Sequence, residues 1–155
     1  MKTICISILL VGFMLAVVPN ANAQTPDADL SGLVGAWRLV ELDQPAADGS
    51  VHAVPATGMF VFTRDGHLQV QVMESDARPE HPAGPQQYSS GGYEASYGSY
   101  TVDWNAHIFT FHVDGALVRS LIGKDLPRAF EIKGNRLTVK STRTDEHWRV
   151  VWERY

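Results

Sequence analysis

Short apolar segments with alternating polar positions recur from residue 36 to the end of the chain, and they predict β-strands. Turn residues separate these segments, and none has the apolar spacing of a long amphipathic helix. Eight strands are predicted: Ala36–Leu42, Gly58–Arg64, His67–Met73, Tyr93–Trp104, His107–Val113, Arg128–Lys133, Arg136–Thr142 and His147–Arg154. The pattern therefore predicts an all-β fold.

The connections favour an antiparallel meander. Asp65-Gly66 and Gly134-Asn135 are tight-turn dipeptides between β-type residues, and Asn105-Ala106 is a third short link. Eight strands paired in sequence order can close into a single up-and-down barrel, whose interior holds side chains or one small ligand. A sandwich of two sheets is the rival architecture.

Alternation also assigns the strand faces. The positions predicted to face inward are Leu68, Val70, Val72, Leu137, Val139, Trp148, Val150 and Trp152. Trp148 and Trp152 give the last strand an aromatic stripe, which either fills a core or lines a pocket.

Two connections are longer than a tight turn, residues 74–92 and residues 114–127. Long connections in compact domains often act as lids or binding loops, so residues 74–92 are a candidate cover for one mouth of the barrel. Their proline- and glycine-rich composition equally fits a surface segment without fixed structure.

The first 23 residues have the organisation of a cleavable signal peptide. Lys2 supplies a positive start, residues 4–18 form an apolar run, and Ala21-Asn22-Ala23 is a small-x-small cleavage site. The run is shorter than the roughly 20 residues that span a bilayer, so we expect cleavage and no stable membrane anchor. The predicted organisation is a signal peptide over 1–23, a lead-in over 24–32 and one barrel domain over 33–155, in an exported protein that is periplasmic or secreted.

Charge and cysteine content narrow the chemistry. The net charge is −4, which argues against nucleic acid as a partner. The charges are mixed along the chain and form no basic or acidic block typical of a membrane-surface patch or a tail. The single cysteine, Cys5, lies in the apolar run, so the mature chain has no disulfide and must be stabilised by its core. The sequence does not determine an oligomeric state.

The sequence lacks the common catalytic and cofactor motifs. It has no Gly-x-Ser-x-Gly elbow, no phosphate-binding Gly-x-x-x-x-Gly-Lys loop and no His-Glu-x-x-His pair. The six histidines are scattered, and the odd spacing of His107 and His112 sends them to opposite faces of one strand. We therefore expect no cofactor and no metal ion.

Arg128 is the charged residue that the pattern aims inward, because it shares a face with Phe130 and Ile132. A buried arginine needs a carboxylate, a tyrosine, backbone carbonyls or an anionic ligand group. The alternative is an arginine at the rim whose guanidinium reaches solvent.

His112 and two tyrosines are further candidates. The sequence leaves open which face of its strand carries His112; on the inner face it could orient or protonate a ligand near Arg128. Tyr97 and Tyr100 have opposite parity unless Gly98 forms a bulge and resets the alternation. A tyrosine suits a binding cavity or a filled core equally well.

Five segments, in this order, resemble a bacterial lipocalin-like domain family. Gly35-Ala36-Trp37 resembles the Gly-x-Trp signature of lipocalins, in which the tryptophan plugs the closed end of the barrel. The other segments are Gly98–Asp103, Phe111–Gly115, Gly123–Phe130 and Gly134–Thr138. The resemblance spans residues 33–142 and implies a compact barrel in which Gly35 and Trp37 are structural.

The same resemblance places two candidate residues. His112 and Arg128 match the family's His-His-Val and glycine-to-arginine segments, whereas Phe111 stands where the pattern has the first histidine. Some relatives resemble accessory proteins of small-molecule biosynthesis, and the signal peptide departs from a mostly intracellular family.

We expect a carrier or sensor that binds an apolar or amphipathic small molecule inside the barrel. The expected ligand-binding residues are Arg128, His112, Tyr97, Tyr100, Trp148 and Trp152. One alternative is an isomerase or cyclase that uses His112 or Tyr100 for proton transfer beside Arg128. A second alternative is a protein-binding module with a filled core.

Overall fold

The computed structural model describes residues 32–46, 48–75 and 92–155. These residues form nine strands: β1 (Gly35–Pro45), β2 (Val51–Ala53), β3 (Ala56–Phe62), β4 (His67–Glu74), β5 (Tyr93–Asp103), β6 (Ile108–Ala116), β7 (Asp125–Lys133), β8 (Arg136–Ser141) and β9 (Arg149–Arg154). A short 3-10 helix over Arg119–Leu121 lies between β6 and β7. No helix in the described ranges is long and apolar enough to cross a membrane. The predicted signal peptide lies outside these ranges.

All neighbouring strands are antiparallel, and β1 closes the sheet by pairing with β9. Strands β1 and β3 to β9 form an eight-stranded barrel, which confirms the predicted all-β meander. Closure removes the open edges that two separate sheets would have, so the sandwich alternative is wrong. The added strand, β2, pairs with the end of β1. It was missed because all three of its residues are exposed and produce no alternation.

The eight predicted strands agree with the observed ones within a few residues, but the predicted connection over 114–127 is too long. Strand β6 continues to Ala116, and β7 already begins at Asp125. Gly115 and Pro127 lie inside these strands, although glycine and proline usually interrupt strands.

One end of the barrel is filled around Trp37. This tryptophan is fully buried and donates its indole N–H to the carbonyl oxygen of Leu33 at 2.8 Å. The guanidinium carbon of Arg154 lies 4.1 Å from the Trp37 ring centroid. Arg154 also donates to the carbonyl oxygens of Val34 at 2.7 Å and Gly32 at 2.8 Å. Residues 32–34 are thereby fixed across the closed end.

Gly35 makes room for that arginine. Its φ is +138°, and a Cβ at this position would lie 2.5 Å from Nη1 of Arg154. A side chain at residue 35 would therefore push the guanidinium away from Trp37. Beyond Trp37 the core is aromatic, with rings in contact across the barrel at Phe60, Phe62, Tyr100, Phe109, Phe130 and Trp152.

Candidate functional site

The opposite end of the barrel is hollow. It contains a cavity of about 490 Å³, a volume typical of small-molecule sites. The wall reaches Pro45 at the end of β1 and Leu121 in the 3-10 helix, so the cavity opens away from Trp37. Residues that alternation predicts to face inward line the wall, namely Val70, Val72, Val139, Trp148, Val150 and Trp152. Most of this wall is apolar.

Arg128 projects into the cavity from β7. Its guanidinium carbon lies 5.0 Å from the Trp148 ring centroid, and Nη1 donates to the Pro127 carbonyl oxygen at 3.2 Å. Among the described residues, no carboxylate oxygen lies within 4.0 Å of this guanidinium. Burial lowers the pKa of Arg128, and the negative charges of Glu146 and Glu94 partly oppose that effect. Arginine nevertheless stays protonated, so the cavity wall holds a cation that has no contacting counterion within the described ranges.

Hydrogen bonds to Glu146 hold the Trp148 ring in place. Its indole N–H donates to Oε2 of Glu146 at 3.3 Å, and the same oxygen accepts a hydrogen bond from the Ser141 hydroxyl at 2.6 Å. These bonds fix the ring against which the Arg128 guanidinium lies. The cation and the indole therefore form one preorganised surface, and such a contact is worth about 0.5–2 kcal/mol.

Glu94 is the second charged residue of the wall. It lies opposite Val72 on the inner face of β5. Solvent reaches its side chain through the mouth, yet protein atoms surround most of it. This burial raises the pKa of Glu94, while the charge of Arg128 lowers it. A third polar residue, Gln44, donates to Oε1 of Glu74 at 3.3 Å.

A sequence model of the family described as "Lipocalin-like domain" matches residues 34–155. The chain belongs to this lipocalin-like domain family. The match includes every strand of the barrel and every residue that lines the cavity. No similar sequence was found among curated proteins.

Solved structures similar to this lipocalin-like domain include an uncharacterised protein from Bacteroides eggerthii, at 15% identity and a TM-score of 0.46. That match covers 79% of this chain and 99% of the other. The wild-type fluorescent protein UnaG matches at 13% identity and a TM-score of 0.39, covering 81% of this chain and 99% of its own. A protein from M. tuberculosis matches at 16% identity and a TM-score of 0.36, covering 81% and 94%.

His112 lies on the outside of the lipocalin-like domain, because the buried Phe111 and Val113 occupy the inner face of β6. Its Nδ1 is 2.7 Å from Oδ1 of Asp125, and its Nε2 is 3.2 Å from Oγ1 of Thr101. The imidazole therefore connects β5, β6 and β7 on the outer surface and does not line the cavity.

Tyr97 and Tyr100 also lie away from the cavity. The Tyr97 side chain is on the outer face, where the residue is 61% exposed. Tyr100 faces inward but is buried in the filled end, and its hydroxyl donates to the Thr63 carbonyl oxygen at 2.9 Å. The bulge near Gly98 exists, but its extra residue is Asp114 on β6, so β5 keeps its alternation.

Three of the predicted ligand-binding residues, Arg128, Trp148 and Trp152, meet in one cavity. The sequence analysis did not predict Glu94. Its even spacing from the inward-facing Tyr100 places both side chains on the same face of β5. Within the described residues, no three histidine, cysteine, aspartate or glutamate side chains cluster as a metal site would require. The predicted lid, residues 74–92, lies mostly outside the described residues.

Proposed function

We propose that this lipocalin-like domain is a carrier or sensor that binds an amphipathic small molecule in its open-ended cavity. The apolar wall takes the body of the ligand, and Arg128 contacts an anionic group at its polar end. The observation that supports this most strongly is the guanidinium itself. It lies against Trp148 in a largely apolar cavity with no described carboxylate in contact, and a partly buried cation of this kind is stabilised by an anion.

The position of the other polar residues favours binding over catalysis. The isomerase or cyclase alternative needs His112, Tyr100 and Arg128 around one substrate. These residues lie on the outer surface, in the filled end and in the cavity respectively. The filled-core alternative is disfavoured because the mouth half of the barrel contains the cavity.

Export is part of the same proposal. The charged start, apolar run and Ala21-Asn22-Ala23 site support removal of residues 1–23, and the matched domain begins at residue 34, after that cut. Intact mass of the protein recovered from the periplasm or medium tests this. A chain that begins at Gln24 supports export, whereas a full-length chain confined to the cytoplasm contradicts it.

Replacing Arg128 tests the binding function. Dodecanoate is titrated into wild type and Arg128→Met while tryptophan fluorescence is recorded, since Trp148 and Trp152 line the cavity. We expect the variant to bind at least about tenfold more weakly, because a charge-assisted contact worth about 1.5–3 kcal/mol is lost. Dodecanol, which has the same tail without the carboxylate, should bind both proteins with similar affinity.

Arg119→Ala is the matched control. Arg119 is an exposed cation in the 3-10 helix next to the cavity-lining Leu121, so its removal changes the charge by the same amount without altering the wall. Its dodecanoate affinity should stay within about twofold of wild type at moderate salt, since exposed charges are screened. Equal binding by wild type and Arg128→Met would show that Arg128 does not hold the anion. No binding of either lipid would remove support for the function.

A further inference from the structure

The cavity wall holds two opposite charges that do not contact each other. Glu94 is on β5 and Arg128 is on β7, and the two strands flank β6. The Glu94 carboxylate and the Arg128 guanidinium are not within 4.0 Å of each other. Each charge nevertheless acts on the other, because the cation lowers the pKa of Glu94 and the carboxylate raises that of Arg128.

The strand register separates the two residues along the wall, since Arg128 is level with Phe109 on β6 and with Val102 on β5, and Glu94 lies eight residues before Val102. Both side chains nevertheless line the same cavity of about 490 Å³. A ligand with two polar groups at one end can therefore contact the carboxylate and the guanidinium from within the cavity. The third polar residue of the wall, Gln44, already donates to Glu74.

A ligand with a carboxylate alone would satisfy Arg128 but would bring a second negative charge towards Glu94, and like charges in a partly buried site repel. A ligand that also carries an N–H or O–H donor near its acid group would satisfy both residues. The donor would replace water at a carboxylate that burial already disfavours in its ionised form.

We propose that the cavity selects amphipathic acids whose polar end also carries a hydrogen-bond donor, such as N-acylated amino acids. The acid contacts Arg128 and the donor contacts Glu94. This inference rests on the proposed function, because it specifies the ligand class of the same cavity.

The test compares two probes that differ at the amide nitrogen. N-decanoylglycine has an amide N–H beside its carboxylate, and N-decanoylsarcosine has a methyl group in place of that hydrogen. Both are titrated below their aggregation concentrations into wild type, Glu94→Leu and Glu94→Gln. We expect wild type to bind the glycine probe about tenfold more tightly than the sarcosine probe, as one hydrogen bond to a charged group implies.

The variants assign that preference to Glu94. Glu94→Leu should bind both probes equally, and Glu94→Gln, which keeps an acceptor oxygen, should retain part of the preference. Glu131→Leu removes an exposed carboxylate from the outer side of β7 and should behave as wild type. Thermal melting confirms that each variant is folded before titration.

The outcomes separate this inference from the proposed function. If wild type binds both probes tightly and equally, or if Glu94→Leu keeps the full preference, the donor contact is overturned while anion binding by the cavity stands. If wild type binds neither probe and does not bind dodecanoate, both the ligand class and the proposed function fail.

Discussion

At the scale of single residues, burial acts on the two cavity charges in opposite directions. It raises the pKa of Glu94 and lowers the pKa of Arg128, because in each case it disfavours the charged form. Arginine keeps its proton at any ordinary pH, whereas the raised pKa of Glu94 means that it holds its proton to a higher pH than an ordinary glutamate does. The charge balance of the cavity therefore changes with pH through Glu94.

Glu94→Gln should stabilise the protein in a pH-dependent manner. The pKa of Glu94 is higher in the folded chain than in the unfolded one, so the folded chain binds more protons between these two values and stability falls as pH rises through them. At about pH 4 the substitution should change the free energy of unfolding little, and at about pH 7.5 it should increase it. Urea denaturation at both pH values measures the difference.

Glu131→Gln is the control for that experiment, because the pKa of Glu131 is shifted in the opposite direction. A hydrogen bond from Lys133 lowers the pKa of Glu131, so the ionised form is favoured in the folded chain and its loss cannot stabilise at neutral pH. A Glu94→Gln protein that is less stable than wild type at about pH 7.5 would contradict the assigned cause of the shift.

At the scale of elements, the two faces of β6 carry side chains with different roles. Its inner face carries Phe109 and Phe111, which line the cavity and pack against the core. Its outer face carries His112, which contacts Thr101 on β5 and Asp125 on β7. A side chain that connects three adjacent strands stabilises their register. We therefore assign His112 to the stability of the wall.

His112→Ala should reduce the free energy of unfolding by about 1 kcal/mol, the usual net value of such hydrogen bonds, and leave dodecanoate affinity unchanged. Chemical denaturation and the fluorescence titration measure the two effects. His67→Ala is the control, since His67 is an exposed histidine at the start of β4 and should change stability by less than about 0.5 kcal/mol. A His112→Ala protein of normal stability that no longer binds ligand would refute this assignment.

At the scale of the whole molecule, the barrel is half filled and half hollow. Trp37 and the aromatic cluster pack one end without leaving room, whereas the other end surrounds the cavity. Stability is therefore concentrated at the closed end, and the residues around the mouth contribute less to it. Equivalent substitutions at the two ends should reduce the free energy of unfolding by different amounts.

Leu137→Ala and Leu126→Ala compare the two ends. Leu137 is fully buried on β8, and its truncation should cost about 3–4 kcal/mol, since the surrounding core collapses only in part. Leu126 already faces the cavity on β7, so its truncation should cost about 1 kcal/mol. Thermal or urea unfolding gives both values, and equal losses would mean that the mouth is packed as tightly as the closed end.

The alternation of apolar and polar residues, together with the turn residues, was sufficient to predict most strands of the barrel. Leu68 and Val70 face inward as predicted, because a period of two determines the face of any strand with one apolar side. His112 could not be placed, since both faces of β6 carry apolar residues. Glu94 was missed because a possible reset at Gly98 left the parity of β5 open. Only the pairing with β6 shows that Asp114 is the extra residue.

The filled end around Trp37 also has a consequence for the timing of ligand exchange. A molecule held in the cavity must leave through the mouth by which it entered, and a second molecule cannot pass it in a space of about 490 Å³. A competitor can therefore occupy the cavity only after spontaneous departure, and adding more competitor does not hasten release. For a tightly held ligand, departure is the slow step. If the proposed function is correct, the protein keeps a tightly held ligand through dilution and purification.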